Sequence, residues 1–360
     1  MPSSGMLAIH GMTFDVFRAA ARERLERGHG RCREVYRDVM LRGRFEPERH
    51  GLGPRACEGW RSSFHSRLPE LVRVVQEEGP RGITAKAVLR THDGLELETV
   101  LIPMGRGRST LCVSSQVGCK MGCTFCETGR MGLLRNLSSA EIVGQLLVAR
   151  HVLRWPVRSL VFMGMGEALD NYEQVVTAIR VLNDSSGLAM AQERLTVCTV
   201  GRADGIERLA DEEFRRLNLS VSLTSADQAV RASLMPVARK TPLERLQQSL
   251  VAYRPRKNFT LGVNYCLLPD INDSRDDARA VAEFCGPLSR VLVHVIPYNP
   301  GGAPIARAPT DDEVARFIEW LREEGLPVRK RVTKGRSVMA ACGQLGNVEL
   351  RERRRLRVRR

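Results

Sequence analysis

The chain contains no apolar run of the roughly 18 residues needed to cross a bilayer, so no membrane span is expected. Its first residues, MPSSGMLAIHGMTFDVFRAA, lack a basic stretch followed by an apolar one and do not read as a secretory signal. Ten cysteines in 360 residues are too sparse for a disulfide scaffold. Free thiols without an export signal point to a reducing cytoplasm. Aromatics make up only 5%, and lysine is scarcer, at six of 56 basic residues.

What is abundant is arginine. The formal net charge is +15, of which the run RERRRLRVRR at 351–360 contributes +6 and the rest of the chain +9. Such a balance suits an anionic partner such as RNA through phosphate contacts. Arginine dominance of this kind also follows from a GC-rich genome, and charge alone leaves both readings open.

Cys119, Cys123 and Cys126 lie in Gly118-CKMGCTFC-Glu127, spaced C-x3-C-x2-C. Three thiols within eight residues can curl around one metal centre but supply only three ligands. Protein-held iron–sulfur clusters ordinarily take four cysteines, and structural zinc is also closed by four. No second C-x2-C follows to complete a zinc ribbon, and Gly118, Gly122 and Gly129 mark a wrapping loop rather than a core strand. If no fourth protein ligand closes the site, one iron stays open for a substrate or cofactor.

Residues 1–95 read as a mostly helical accessory module, with helices at 13–28, 31–43 and 68–79 and the first strand of a hairpin turning at His92-Asp93-Gly94. From about 109 onward, strand and helix alternate six times at roughly thirty-residue intervals, and a short strand is expected at 327–333. Such alternation demands a mainly parallel sheet flanked by helices. Unusual residues fall at the C-terminal end of every strand: the cysteine loop, Gly164-Met165-Gly166-Glu167, Cys198-Thr199, Ser222-Leu223-Thr224, Asn264-Tyr265 and Pro297-Tyr298-Asn299. Barrel enzymes place their active sites on that face. The expected fold is α/β: a partial (β/α)6 barrel over 96–348 behind the 1–95 module, with 349–360 as a disordered Arg-rich tail.

Glu167 beside glycine backbone could hold a cationic amino group, while Cys198, Ser222, Thr224 and Asn299 offer small polar groups at successive strand ends. Cys342, in the small-residue run AACGQLGN, is a candidate covalent carrier. For Cys342, and for Cys112 on the first barrel strand, a buried core cysteine is the default reading. Glu98, on the hairpin strand leading into the barrel, is a candidate general base.

The runs LCVSSQVGCKMGCTFCETG, GMGEAL, IPYNP and AACGQL together resemble the radical S-adenosylmethionine (SAM) RNA adenine-C2 methyltransferases of the RlmN/Cfr type. The likeness extends from the N-terminal module to about Asn347. It implies a [4Fe–4S] cluster on Cys119, Cys123 and Cys126, with SAM on the open iron. It further implies SAM contacts at Gly166, Glu167, Cys198, Ser222, Leu223, Thr224 and Asn299. Cys342 would become S-methylcysteine, Cys112 would form a transient disulfide with it, and Glu98 would accept the adenine C2 proton. The implied partners are an rRNA or tRNA substrate and a flavodoxin or ferredoxin as electron donor; a monomer without membrane contact is expected.

The family's Gly-Glu-Pro is Gly-Glu-Ala at Ala168, its third-strand Ser is Cys198, its Ser-Leu-His-Ala is Ser-Leu-Thr-Ser at 222–225, and its Glu-Tyr is Asn264-Tyr265. Two other readings fit the same residues: a radical SAM enzyme acting on a peptide or small molecule, and a non-catalytic iron–sulfur RNA-binding protein in which Cys112 is the fourth ligand.

Overall fold

Strand-forming residues from Glu70 to Lys330 assemble into one ten-stranded sheet in the computed structural model, which describes residues 5–253 and 256–346. In chain order the strands are β1 (Glu70–Glu77), β2 (Thr84–Arg90), β3 (Glu96–Gly105), β4 (Arg108–Cys112) and β5 (Val157–Phe162). They continue as β6 (Leu195–Thr199), β7 (Asn218–Ser222), β8 (Leu261–Leu267), β9 (Val291–Pro297) and β10 (Val328–Lys330). Their spatial order follows the chain; β1 to β4 pair antiparallel and β4 to β10 parallel. The hairpin and the barrel strands therefore share a single sheet. The called tail at 349–360 lies outside the described residues.

Helices cover the outer face, as right-handed crossovers between parallel strands require. They are α5 (Ser139–Leu147), α6 (Tyr172–Asn183), α7 (Ala203–Ala210), α8 (Gln228–Leu234), α9 (Leu243–Ala252), α10 (Arg275–Cys285) and α11 (Asp311–Glu323), with one short turn, α4 (Glu127–Met131), in the cysteine loop. In α11, Val314, Phe317 and Leu321 recur at helical spacing and are at most 1% exposed. Capping boxes at Ser138/Glu141, Ser274/Asp277 and Thr310/Glu313 fix the starts of α5, α10 and α11.

The N-terminal helices are α1 (Phe14–Arg24), α2 (Cys32–Arg42) and α3 (Pro54–Ser63). An aromatic cluster holds them together: Phe17 contacts Tyr36, Trp60 and Phe64 with ring centroids 5.2–5.8 Å apart. This cluster is joined to the barrel helices, since Ser139 Oγ donates to the Gly11 carbonyl at 2.8 Å.

The helix expected at 68–79 is instead strand β1, and the third helix is α3, which begins with Pro54 at its first position. The error has a physical origin. A bulge between Leu71 and Arg73 places Leu71 opposite Leu89 and Val74 opposite Ala87, on one face. An i, i+3 apolar repeat thus arises from a bulged strand and imitates a helix.

Register assigns the inward face. Cys112, Val161, Thr196 and Asn218 form one row; Cys198, Ser220, Gly262 and Leu292 the next; Ser222, Asn264, His294 and Arg329 a third. These rows, Cys112 and Ser222 apart, line a cavity of about 600 Å3. Residues 331–346 form a strap that crosses the gap between the sheet edges. Arg331 N–H donates to Val295 O, Gly335 N–H to Glu77 Oε1 and Gly346 N–H to Glu98 Oε2. Among the described residues no helix is long and apolar enough to cross a membrane.

Candidate active site

The loop after β4 gathers three thiols by backbone geometry. Gly118 has φ +77°, and a Cβ there would fall 1.9 Å from the Gly132 carbonyl, which accepts from Cys119 N–H at 3.1 Å. Gly129 is equally constrained, because a Cβ would meet Cys123 O at 2.9 Å. Cys119 and Cys123 are buried and Cys126 half-buried, and all are free thiols. Burial pushes the Cys119 thiol up to about 12 and those of Cys123 and Cys126 upward, with mutual repulsion of the sulfurs adding to it at Cys119 and Cys123. Such thiols stay protonated until something cationic replaces the proton.

Glu167 follows β5 and is 2% exposed. Val200 N–H donates to its Oε2 at 2.8 Å and Leu169 N–H to its Oε1 at 3.1 Å. Burial still raises its carboxyl to about 7, against those hydrogen bonds and the Arg202 guanidinium. Gly166, at φ +99°, lets Gln116 approach: a Cβ there would lie 2.5 Å from Gln116 Cβ. Gln116 Oε1 in turn accepts from Glu167 N–H at 2.9 Å.

Cys198 at the end of β6 is buried and faces the cavity, where burial pushes its thiol to about 12. Ser222 ends β7, Leu223 is fully buried, and Thr224 has φ +61°, a strained setting for a β-branched residue. Asn272 holds that turn by donating to the Thr224 carbonyl at 2.6 Å. Asn299 and Asn264, both lining the cavity, are 4% and 3% exposed, and each has a buried Oδ1 with no hydrogen-bond partner. Two orphaned acceptors at one cavity mark a place shaped for a donor-bearing ligand.

Cys342 is exposed on the strap and lies 3.9 Å from Met163 Sδ, at the end of β5. Cys112 is buried, and burial, then the nearby Cys342 and Cys198 sulfurs, pushes its thiol up. Cys119, Cys123 and Cys126 neighbour one another instead, so the arrangement lends no support to Cys112 as a fourth cluster ligand.

Glu98, on β3, is 5% exposed. It faces Lys86 at 3.1 Å and accepts from Gly346 N–H at 2.9 Å, while Lys86 Nζ donates to Met339 O at 3.0 Å. The carboxylate therefore lies beneath the strap that carries Cys342.

Sequence reasoning passed over Lys86, Gln116 and Arg231. Arg231, on the unforeseen helix α8, is fully buried and donates to Leu223 O at 3.1 Å and Val200 O at 2.7 Å. An arginine in a seven-residue helix carries no signal of this in one sequence. Asn264 stands out in the sequence as a strand-end residue and as a departure from the family pattern, but not as a cavity acceptor.

The Radical SAM superfamily model matches residues 113–285. Over 350 residues the chain is 38% identical to "Probable dual-specificity RNA methyltransferase RlmN 1" of Protochlamydia amoebophila, spanning 97% of this chain and 96% of the relative. It is 39% identical over 313 residues to "Dual-specificity RNA methyltransferase RlmN 1" of Myxococcus xanthus, covering 86% of each. The crystal structure of a radical SAM methyltransferase from Sphaerobacter thermophilus superposes with a TM-score of 0.86 at 32% identity, covering 94% of this chain and 98% of that one. A [4Fe–4S] cluster and SAM are the cofactors this likeness entails. The chain belongs to the RlmN-type methyltransferase family of the radical SAM superfamily.

Proposed function

We propose that this enzyme methylates C2 of adenine in RNA, an rRNA or a tRNA, with Cys342 carrying the methyl group as S-methylcysteine. The observation that carries the reading is the meeting of Cys342, Cys112 and Glu98 at one strap: an exposed thiol near a buried thiol, above a buried carboxylate.

In this reading Cys119, Cys123 and Cys126 hold the cluster, since the loop offers three thiols and leaves one iron free. Glu167, a buried carboxylate in need of a cation, suits the ammonium of SAM's methionine part. Asn299 supplies an acceptor without a partner, and the turn at Ser222, Leu223 and Thr224, with Gly166 and Cys198, completes the contacts. When bound, the cluster and SAM supply a methyl group and one-electron hydrogen abstraction. This route suits adenine C2, an electrophilic carbon that does not attack a methyl cation equivalent.

Cys342 takes the methyl group, and its exposure lets it reach both cofactor and RNA. After the carbon is joined to adenine, Glu98 accepts the C2 proton; Lys86 and the Gly346 N–H orient that carboxylate. Cys112 then loses its proton and bonds to Cys342 sulfur as the Cys342 sulfur–carbon bond breaks; that bond's electron pair and a proton complete the methyl group on C2, and a thiol reductant later reopens the disulfide with two electrons. A flavodoxin or ferredoxin class donor supplies the electron, and the enzyme works as a monomer in the cytoplasm, where its thiols stay reduced.

Intact-peptide mass spectrometry of the Cys112→Ala variant tests the carrier role. A methyl-derived adduct retained on Cys342 is expected, and its absence sinks the role. Sequencing total RNA from a deletion strain is expected to show a lost adenine methylation.

A further inference from the structure

The cavity does not end beneath Cys342 and Asn299. It runs the length of the barrel to Arg194, Asn218 and Thr260 at the N-terminal ends of the strands. The lining carries Arg81, Arg194, Arg329 and Lys334, with Arg331 deeper in, where it donates to Met163 Sδ at 3.0 Å beside Cys342; none of the five has a carboxylate within 4 Å among the described residues. Elsewhere arginines are commonly paired, as Arg202 is with Asp170 and Arg245 with Glu207. Glu193 is the one carboxylate in the lining, and Arg216 engages it.

The crowding of like charge registers on neighbours. Burial, followed by Arg81 and Arg331, pushes the Lys334 ammonium down, and burial, followed by Arg331 and Arg329, takes His294 to about 4. Beside these cations stand apolar side chains turned to solvent: Met104 and Val332 in the lining are 50% and 54% exposed, and Ile83, two residues from Arg81, is 46% exposed. A small free anion would gain nothing from the apolar surfaces. A single-stranded nucleic acid offers both a phosphate backbone and flat base faces. An acidic protein would match the charge but could not pass a narrow group along the cavity to Cys342.

We propose that this rim, with Arg81, Arg194, Arg329 and Lys334 around Met104 and Val332, docks the RNA backbone so that one nucleotide projects through the cavity toward Arg331 and Cys342. The inference rests on the RNA-methylation reading and adds where the substrate enters. Its test is the Arg81→Gln/Arg329→Gln variant, whose two side chains are exposed and have no carboxylate partner. Binding of a labelled single-stranded oligoadenylate is followed by fluorescence anisotropy over a salt series, with iron content and thermal midpoint as folding controls.

The expected result is a several-fold weaker affinity at low salt and a log–log salt slope shallower by about 0.7 for each phosphate contact removed. Arg81→Lys/Arg329→Lys is expected to restore the slope. An unchanged slope and affinity in the glutamine variant, with wild type binding RNA, overturns the docking rim and leaves the RNA reading standing. Wild type without RNA affinity overturns both. Weaker binding of an acidic ferredoxin with RNA binding intact would make the rim a donor-docking face and also overturn the proposal.

Discussion

Lys86 on β2 and Glu98 on β3 are diagonal neighbours on the inward face of the sheet, 3.1 Å apart and 7% and 5% exposed. Breaking a buried pair by removing one partner leaves an uncompensated charge and costs about 3–5 kcal/mol. Lys86→Met is therefore expected to lower the urea unfolding free energy by about that much. An unfolding free energy unchanged in the variant would show that the pair is dispensable.

The cysteine loop gives a paired test. Gly118→Ala drives a methyl into the Gly132 carbonyl, whereas Gly122→Ala meets nothing nearer than Pro236 Cγ at 3.7 Å. Both residues have positive φ, so each alanine costs about 1–2 kcal/mol locally. Only the first is expected to displace Cys119. Iron content after anaerobic reconstitution should collapse in Gly118→Ala and persist in Gly122→Ala.

Arg231 ties the ends of β6 and β7 through the carbonyls of Val200 and Leu223. Arg231→Met leaves both acceptors buried and unpaired, at about 1–3 kcal/mol each. Denaturant unfolding should register a loss of about 2–6 kcal/mol, and calorimetry a weaker SAM affinity. A variant with full stability and full SAM affinity would show that the tie is dispensable.

Glu167 sets a pH dependence whose sign is fixed. Its folded carboxyl, raised by burial to about 7 from the ordinary 4.5, retains a proton that the unfolded chain has lost between those values. Its contribution thus falls as pH rises through that window, by about 3 kcal/mol in all. His10 and His294, both lowered to about 4 by burial, act in the opposite direction, since their neutral forms lose stability as pH falls below 6.5. The difference between wild type and Glu167→Gln isolates the carboxyl: wild type should lose ground to the variant from pH 4.5 to 7. Saturating SAM is expected to shrink that difference, because an ammonium beside Glu167 favours its ionised form.

Local patterning determined most of the barrel. Apolar strands such as Leu217–Leu223 and amphipathic helices such as 310–325 carry their periods in the sequence, and the spacing of Cys119, Cys123 and Cys126 declares a three-ligand centre. The sequence could not reveal that residues 68–79 form a bulged strand, because Leu71 and Val74 keep a helical spacing while belonging to a sheet face. Nor could it show that Glu98 is buried against Lys86, that Arg231 ties two strand ends, or that residues 331–346 bring Cys342 to Met163. Those relationships join residues up to 179 positions apart, and only strand register and the path of the strap set their distances. Chemistry of a cysteine triplet is local and legible; the company kept by Cys342, Cys112 and Glu98 is a product of tertiary closure.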